Sequence, residues 1–103
     1  AVGDADFHAQ VVQQRGLVLV DFWAPWCVPC EKLSPIVEAL AAEHQGVLQV
    51  RAMDVDANPV TAGDLAVLSL PTVILFENGA EQARLTGSIT EKKIRTALEK
   101  HLP

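Results

Sequence analysis

Residues 21–35 read DFWAPWCVPCEKLSP and hold the only two cysteines of the chain, Cys27 and Cys30, with two residues between them. An apolar run, LVLVDFWA (Leu17–Ala24), leads into this stretch. It is rich in branched and aromatic residues with hardly a polar break, which is the pattern of a strand buried on both faces. A helical pattern leads out of it. In EKLSPIVEALAAEHQG, Leu33, Ile36, Val37 and Leu40 recur at helical spacing and Gly46 supplies the stop. The cysteine pair therefore falls at a strand-to-helix junction.

Working outward, Asp4–Gln14 is predicted as a short helix, with Asp4 or Asp6 as cap, Phe7, Val11 and Val12 as its apolar face and Gly16 as its end. After the first strand and helix, Val47–Val55 reads as a second strand. Asn58-Pro59 opens a short, poor helix, NPVTAGDLAV. PTVILFENGAEQARLTG then forms a hairpin: a strand Thr72–Phe76, a turn at Asn78-Gly79 and a strand from about Glu81 to Thr86. TEKKIRTALEKHL closes as an amphipathic helix capped by Thr90, with Ile94, Ala97, Leu98 and Leu102 on its buried face. The order α-β-α-β-α-β-β-α predicts an α/β fold, a central mixed sheet covered by helices on both faces. Its first βαβ unit, Leu17–Val55, is expected to be parallel and right-handed.

The 103 residues suit a single domain over 1–103. A chain of this size buries roughly 60–70% of its unfolded surface and needs no covalent staples. The net charge of −5 argues against a nucleic-acid footprint and against anionic membrane surfaces. No apolar run approaches the roughly 20 residues of a membrane span, and AVGDADFHAQ shows neither the basic nor the apolar segment of a signal peptide. No repeats or linkers are visible.

The pair could be a staple, part of a metal site or a reactive dithiol. Disulfide scaffolds carry more cysteines, and a bridge between Cys27 and Cys30 closes too short a loop to restrict the unfolded chain much. Structural zinc needs four ligands, whereas here one CxxC stands alone and His8, His44 and His101 are scattered. CxxC beside a βαβ pattern is the signal of a redox motif. Cys27 is expected at or just before the first helical turn, where unpaired N–H groups and the positive dipole end favour a thiolate, the form that attacks disulfides. Pro29 suits that turn. Cys30 is expected one turn on, behind Cys27 and more buried. Pro35 lies inside the helix, where its ring displaces a hydrogen bond and favours a kink.

DFWAPWCVPC, the helical Pro35, DVDANP, LPTVILFENG and Gly87 together resemble the thioredoxin family, in order and spacing and over nearly the whole chain. The resemblance implies a thioredoxin fold and a protein-disulfide reductase serving cell redox homeostasis. In it Cys27 is the attacking thiolate, Cys30 the resolving thiol, and Asp21 a buried carboxylate that takes the proton of Cys30. Pro71 corresponds to the family's cis-proline, and the Leu70–Pro71 backbone to the segment that pairs with an extended substrate. Trp26, Val28, Pro29, Leu70 and Gly87 are expected to form an apolar patch around Cys27. Trp23 is expected to support the site, with Asp56 as its hydrogen-bond partner. No bound cofactor and no metal are expected. The redox group is the Cys27–Cys30 pair, with electrons from NADPH through a thioredoxin reductase. The expected partners are disulfide-containing proteins and that reductase, for a cytoplasmic monomer that binds neither nucleic acid nor membrane.

Four features depart from the family's commonest pattern. Val28 makes the motif CVPC rather than CGPC, which puts the redox potential in question. Glu31 stands where a basic residue is common and opposes a thiolate. Ala52 stands where many relatives carry a lysine near the buried acid, so the pKa of Asp21 is expected to rise. The strand that usually precedes the first helix is reduced to Ala1–Gly3. These departures leave two alternatives: a more oxidising exchanger or isomerase, and a thioredoxin domain of a longer, chaperone-like protein.

Overall fold

The apolar run forms strand β1 (Leu17–Trp23), an inner strand of a four-stranded sheet completed by β2 (Leu48–Asp54), β3 (Thr72–Glu77) and β4 (Ala80–Thr86). This is the architecture of a computed structural model that describes residues 1–103. The strands lie in the order β2-β1-β3-β4. β1 runs parallel to β2 and antiparallel to β3, and the β3–β4 hairpin is antiparallel. The helices are α1 (Val28–Glu43), α2 (Pro59–Asp64) and α3 (Glu91–Glu99). The mixed sheet with helices on both faces is the fold read from the sequence.

Side chains of a strand alternate between the two faces of a sheet. In β1 this sorts the core into two halves. Leu17 and Leu19 pack with Leu33, Val37 and Leu40 of α1 and with Ile94 and Leu98 of α3. Val18, Val20 and Phe22 pack on the opposite face with Val2, Phe7, Val11 and Met53. There Phe7 meets Phe76 edge to face, with ring centroids 5.9 Å apart. Each fully buried Leu, Val or Phe adds about 1.5–3 kcal/mol, so β1 is held from both sides. The same parity puts Asp21 on the α1 face, where it meets Ser34.

The turn chemistry matches expectation at the hairpin. Asn78 and Gly79 both have positive φ, 51° and 82°, as a tight two-residue hairpin turn requires. Gly79 is needed twice over, since a Cβ there would overlap the Val12 carbonyl oxygen. Thr90 caps α3, its hydroxyl accepting from the Lys93 N–H at 3.2 Å.

The N-terminal segment differs from the sequence reading. In place of a helix over Asp4–Gln14 there is a turn followed by a short π-helical segment, His8–Val12. Asp4 does not cap its own helix. Its carboxylate accepts from the Val60 and Thr61 N–H groups and caps α2 from a distance in sequence. Those bonds hold its carboxyl below the usual carboxylate range, the Thr61 N–H most of all. Asn58, at the α2 N-cap position, turns its side-chain oxygen to the Asp4 N–H instead. Ahead of the π-helical segment, the Val2 N–H donates to the Ala52 carbonyl of β2 at 2.9 Å.

Candidate active site

The two cysteines sit where β1 hands over to α1. Cys27 occupies the N-cap position of α1 in extended conformation, Val28 and Pro29 open the helix, and Cys30 lies within its first turn. Cys27 and Cys30 are joined as a disulfide, with Cα atoms 5.4 Å apart. Only 4% of Cys27 and 2% of Cys30 is exposed, so the expected contrast in burial between them is slight. Both pack with Ala24, against Trp23, Val55 and Leu70. No cluster of His, Cys, Asp and Glu is arranged to hold a metal ion.

The peptide bond between Leu70 and Pro71 is cis. Pro71 is buried and shares a cleft with Pro29, Lys32 and Gly87. The Pro71 carbonyl accepts from the Gly87 N–H at 3.3 Å, which ties the end of β4 to the site. Around the disulfide, Trp26 is 66% exposed and Val28 61%, and Pro29 and Gly87 are exposed as well. Leu70 is half-buried against the cysteines. Pro29, Pro71 and Gly87 thus share one cleft, Leu70 touches the cysteines, and Trp26 and Val28 flank Cys27 in sequence with exposed side chains. Leu68, 92% exposed two residues before Leu70, belongs to the same loop and was missed. A loop residue of no fixed period gives no signal for facing outward.

One expected contact is corrected. Asp56 does not bond Trp23; its carboxylate accepts from Trp26 Nε1 at 2.9 Å. The reason is strand parity. Trp23 follows Asp21 on the α1 face of β1 and lines a groove with Cys30, Glu31 and Ser34. Asp56 instead sits in the turn after β2, fixed by Asp54, whose carboxylate accepts from the Asp56 and Ala57 N–H groups. The exposed indole of Trp26 is thus anchored at its polar end.

Asp21 is 2% exposed. One of its oxygens, Oδ2, accepts from the Ser34 hydroxyl at 3.1 Å, and Oδ1 has no partner in the protein. Ser34 follows Cys30 by one helical turn, and its hydroxyl also lies 3.2 Å from the Cys30 carbonyl oxygen. Burial pushes the Asp21 carboxyl up from its ordinary 3.8 to about 6. The Ser34 hydrogen bond opposes this rise, and the nearby Glu38 charge adds to it. Ala52 is the β2 partner of Asp21 and brings no cation, while Arg51 turns to the other face and bonds Gln49 at 2.6 Å. The rise comes from burial and Glu38. Asp21, Ser34, Glu38 and Ala52 line one surface groove of about 280 Å³. Ser34, Glu38 and Ala52 also line the adjoining groove of about 320 Å³ that reaches Cys30. Ser34 and Glu38 were not singled out from the sequence. Their spacing of four and eight residues from Cys30 on one helical face was the available signal.

A sequence model of the family described as Thioredoxin matches residues 1–100. The thioredoxins of Staphylococcus aureus strains Mu50, MW2 and N315 are each 42% identical over 101 residues, covering 98% of this chain and 95% of theirs. The chain belongs to the thioredoxin family. It carries the cysteine pair of a thioredoxin and is a protein-disulfide oxidoreductase that acts on disulfides of other proteins. Val28 lies between its cysteines, and the Ser34 hydroxyl is the one hydrogen-bond partner of its buried acid.

Proposed function

We propose that the pair works as a reductase with Cys27 as nucleophile and Cys30 as resolving thiol. The observation that carries this order is the placement of Cys27 at the open N-terminus of α1, where free N–H groups stabilise a thiolate. In the reduced protein, Cys27 thiolate attacks one sulfur of a substrate disulfide. A Cys27–substrate bond forms, and the other substrate sulfur leaves as a thiolate that takes up a proton. Asp21 accepts the proton of Cys30 through water, by way of the two adjoining grooves that share Ser34, Glu38 and Ala52. A pKa near 6 suits a base that must hold and release a proton near neutral pH. Cys30 thiolate then attacks Cys27 Sγ, the second substrate sulfur leaves, and two electrons have passed from the dithiol to the substrate.

Trp26, Val28, Pro29, Leu70, Pro71 and Gly87 receive the substrate in this reading, with the Leu70–Pro71 backbone pairing to an extended segment. Trp23, Pro35 and Asp56 support the site, Asp56 by holding the Trp26 indole. The chain acts as a single domain over residues 1–103 and as a monomer. The dithiol is restored by a thioredoxin reductase drawing on NADPH, which places the work in the reducing cytoplasm.

The order of attack is tested with Cys27→Ser and Cys30→Ser and a protein substrate bearing an accessible disulfide. Cys30→Ser is expected to accumulate a covalent adduct on Cys27, read by intact mass, and Cys27→Ser to form none. Adducts on Cys30 in the Cys27→Ser protein, at a comparable rate, would reverse the assignment.

A further inference from the structure

The charges around the disulfide are unevenly divided. The chain has four lysines, at positions 32, 92, 93 and 100. Lys32 lines the cleft that holds Pro29 and Pro71. Lys92, Lys93 and Lys100 line a groove of about 620 Å³ between β4 and α3, floored by Ala83, Leu85 and Ala97. None of the residues lining that groove is acidic, in a chain with 13 acidic residues. The two depressions adjoin: Ser88 and Ile89 line the first and Thr90 the second, and Lys93 Nζ donates to the Ser88 carbonyl at 2.7 Å.

None of these lysines is neutralised by a carboxylate. Every ion pair of the chain uses arginine or histidine, and none uses lysine. Four carboxylates of neighbouring segments are already paired: Glu81 with Arg84, Glu91 and Glu43 with Arg95, and Glu77 with His101 at the groove's own edge. The opposite flank of α1 carries the reverse sign, since the groove beside Cys30 is lined by Glu31 and Glu38 and by no cation. An extended anionic segment leaving the disulfide is therefore attracted along one side and repelled along the other.

Building on the reductase reading above, we infer that the β4–α3 groove is a secondary subsite that selects substrates with an acidic segment next to the reactive cysteine. The segment runs from the Pro29–Pro71 cleft past Lys32 and lies between β4 and α3, under Lys92, Lys93 and Lys100. An extended chain advances about 3.3 Å per residue, and the long axis of the molecule is 34 Å. The acidic residues must therefore fall within about ten positions of the cysteine.

The test uses peptides of about twelve residues, each with one cysteine linked as a disulfide to a small chromogenic thiol. One is neutral, one carries a run of glutamates before the cysteine, and one carries it after. Initial rates are read with the dithiothreitol-reduced protein at low and at high salt. At low salt one acidic peptide is expected to be reduced about tenfold faster than the neutral one, and the other more slowly. That advantage is expected to vanish in Lys92→Glu/Lys100→Glu, to shrink in Lys92→Gln/Lys100→Gln, and to fade at high salt. The neutral peptide keeps its rate within about twofold in both variants, which also reports that they fold. Equal rates for all three peptides, or an advantage that survives charge reversal, would overturn the subsite and leave the reductase reading standing. Failure to reduce even the neutral peptide would overturn both.

Discussion

Replacing Asp21 by Asn removes one proton-binding site from the interior and little else, because Asn keeps the shape and can still meet the Ser34 hydroxyl. The buried carboxyl titrates near 6 rather than 3.8, whereas in the unfolded chain it titrates at about 3.9. Between those values the folded protein binds the extra proton. Its stability is therefore highest below the unfolded pKa and is lost as pH rises through the folded one. At about 1.4 kcal/mol per pKa unit, the loss between about pH 3 and pH 7.5 comes to about 3 kcal/mol. Other carboxyls work in the opposite sense: Asp4, Glu43 and Glu81 are lowered by their hydrogen-bond partners and favour folding at higher pH. They are common to both proteins and cancel in the difference. Urea unfolding of the oxidised proteins across this range should show Asp21→Asn gaining about 3 kcal/mol on the parent as pH rises. A difference that stays constant to within about 0.5 kcal/mol would mean that Asp21 is not held protonated by burial, and the proton-transfer role built on it would go too.

The neighbours of Asp21 should move its titration in opposite directions. Ser34→Ala removes the bond that favours the ionised form and should raise the Asp21 pKa by about one unit; Glu38→Gln removes a like charge and should lower it by a few tenths of a unit. Both are read by NMR of the Asp21 carboxyl carbon, and shifts of the same sign would refute the assigned causes. Glu31 lies in the first turn of α1 near Cys27, so Glu31→Lys should favour the Cys27 thiolate by about 0.3–1 kcal/mol. The pH profile of Cys27 alkylation would then move to lower pH, and an unmoved profile would show that solvent screens the charge at this position.

The parts of the fold that were legible in the sequence are those fixed by local pattern. The buried run of β1, the Asn78-Gly79 turn, the Thr90 cap and the cysteines at a helix start each follow from a few adjacent residues. What was not legible depends on which distant segments meet. Asp4 reads as a local cap, yet it serves α2 more than fifty residues away, and no short window contains both partners. Trp23 and Trp26 are three apart and equally able to donate to Asp56. Only the parity of β1 and the turn held by Asp54 decide between them. Ser34 and Glu38 required two periods to be combined, the alternation that turns Asp21 inward and the helical repeat that turns residues four apart from Cys30 toward it.

That combination makes α1 the element that sets both faces of the chemistry. Along one side it presents Ser34 and Glu38 to Asp21, and along the other Lys32 to the Pro71 cleft. Burial and Glu38 push the proton on while a single hydroxyl pulls it off. Burial outweighs the hydroxyl, and the balance lies at about 6. Glu31 and Glu38 of this helix line the Cys30 groove, Lys32 lines the Pro71 cleft, and Glu43 is paired with Arg95 of α3, so the groove beside Asp21 and the groove open to anionic chain do not compete for one charge.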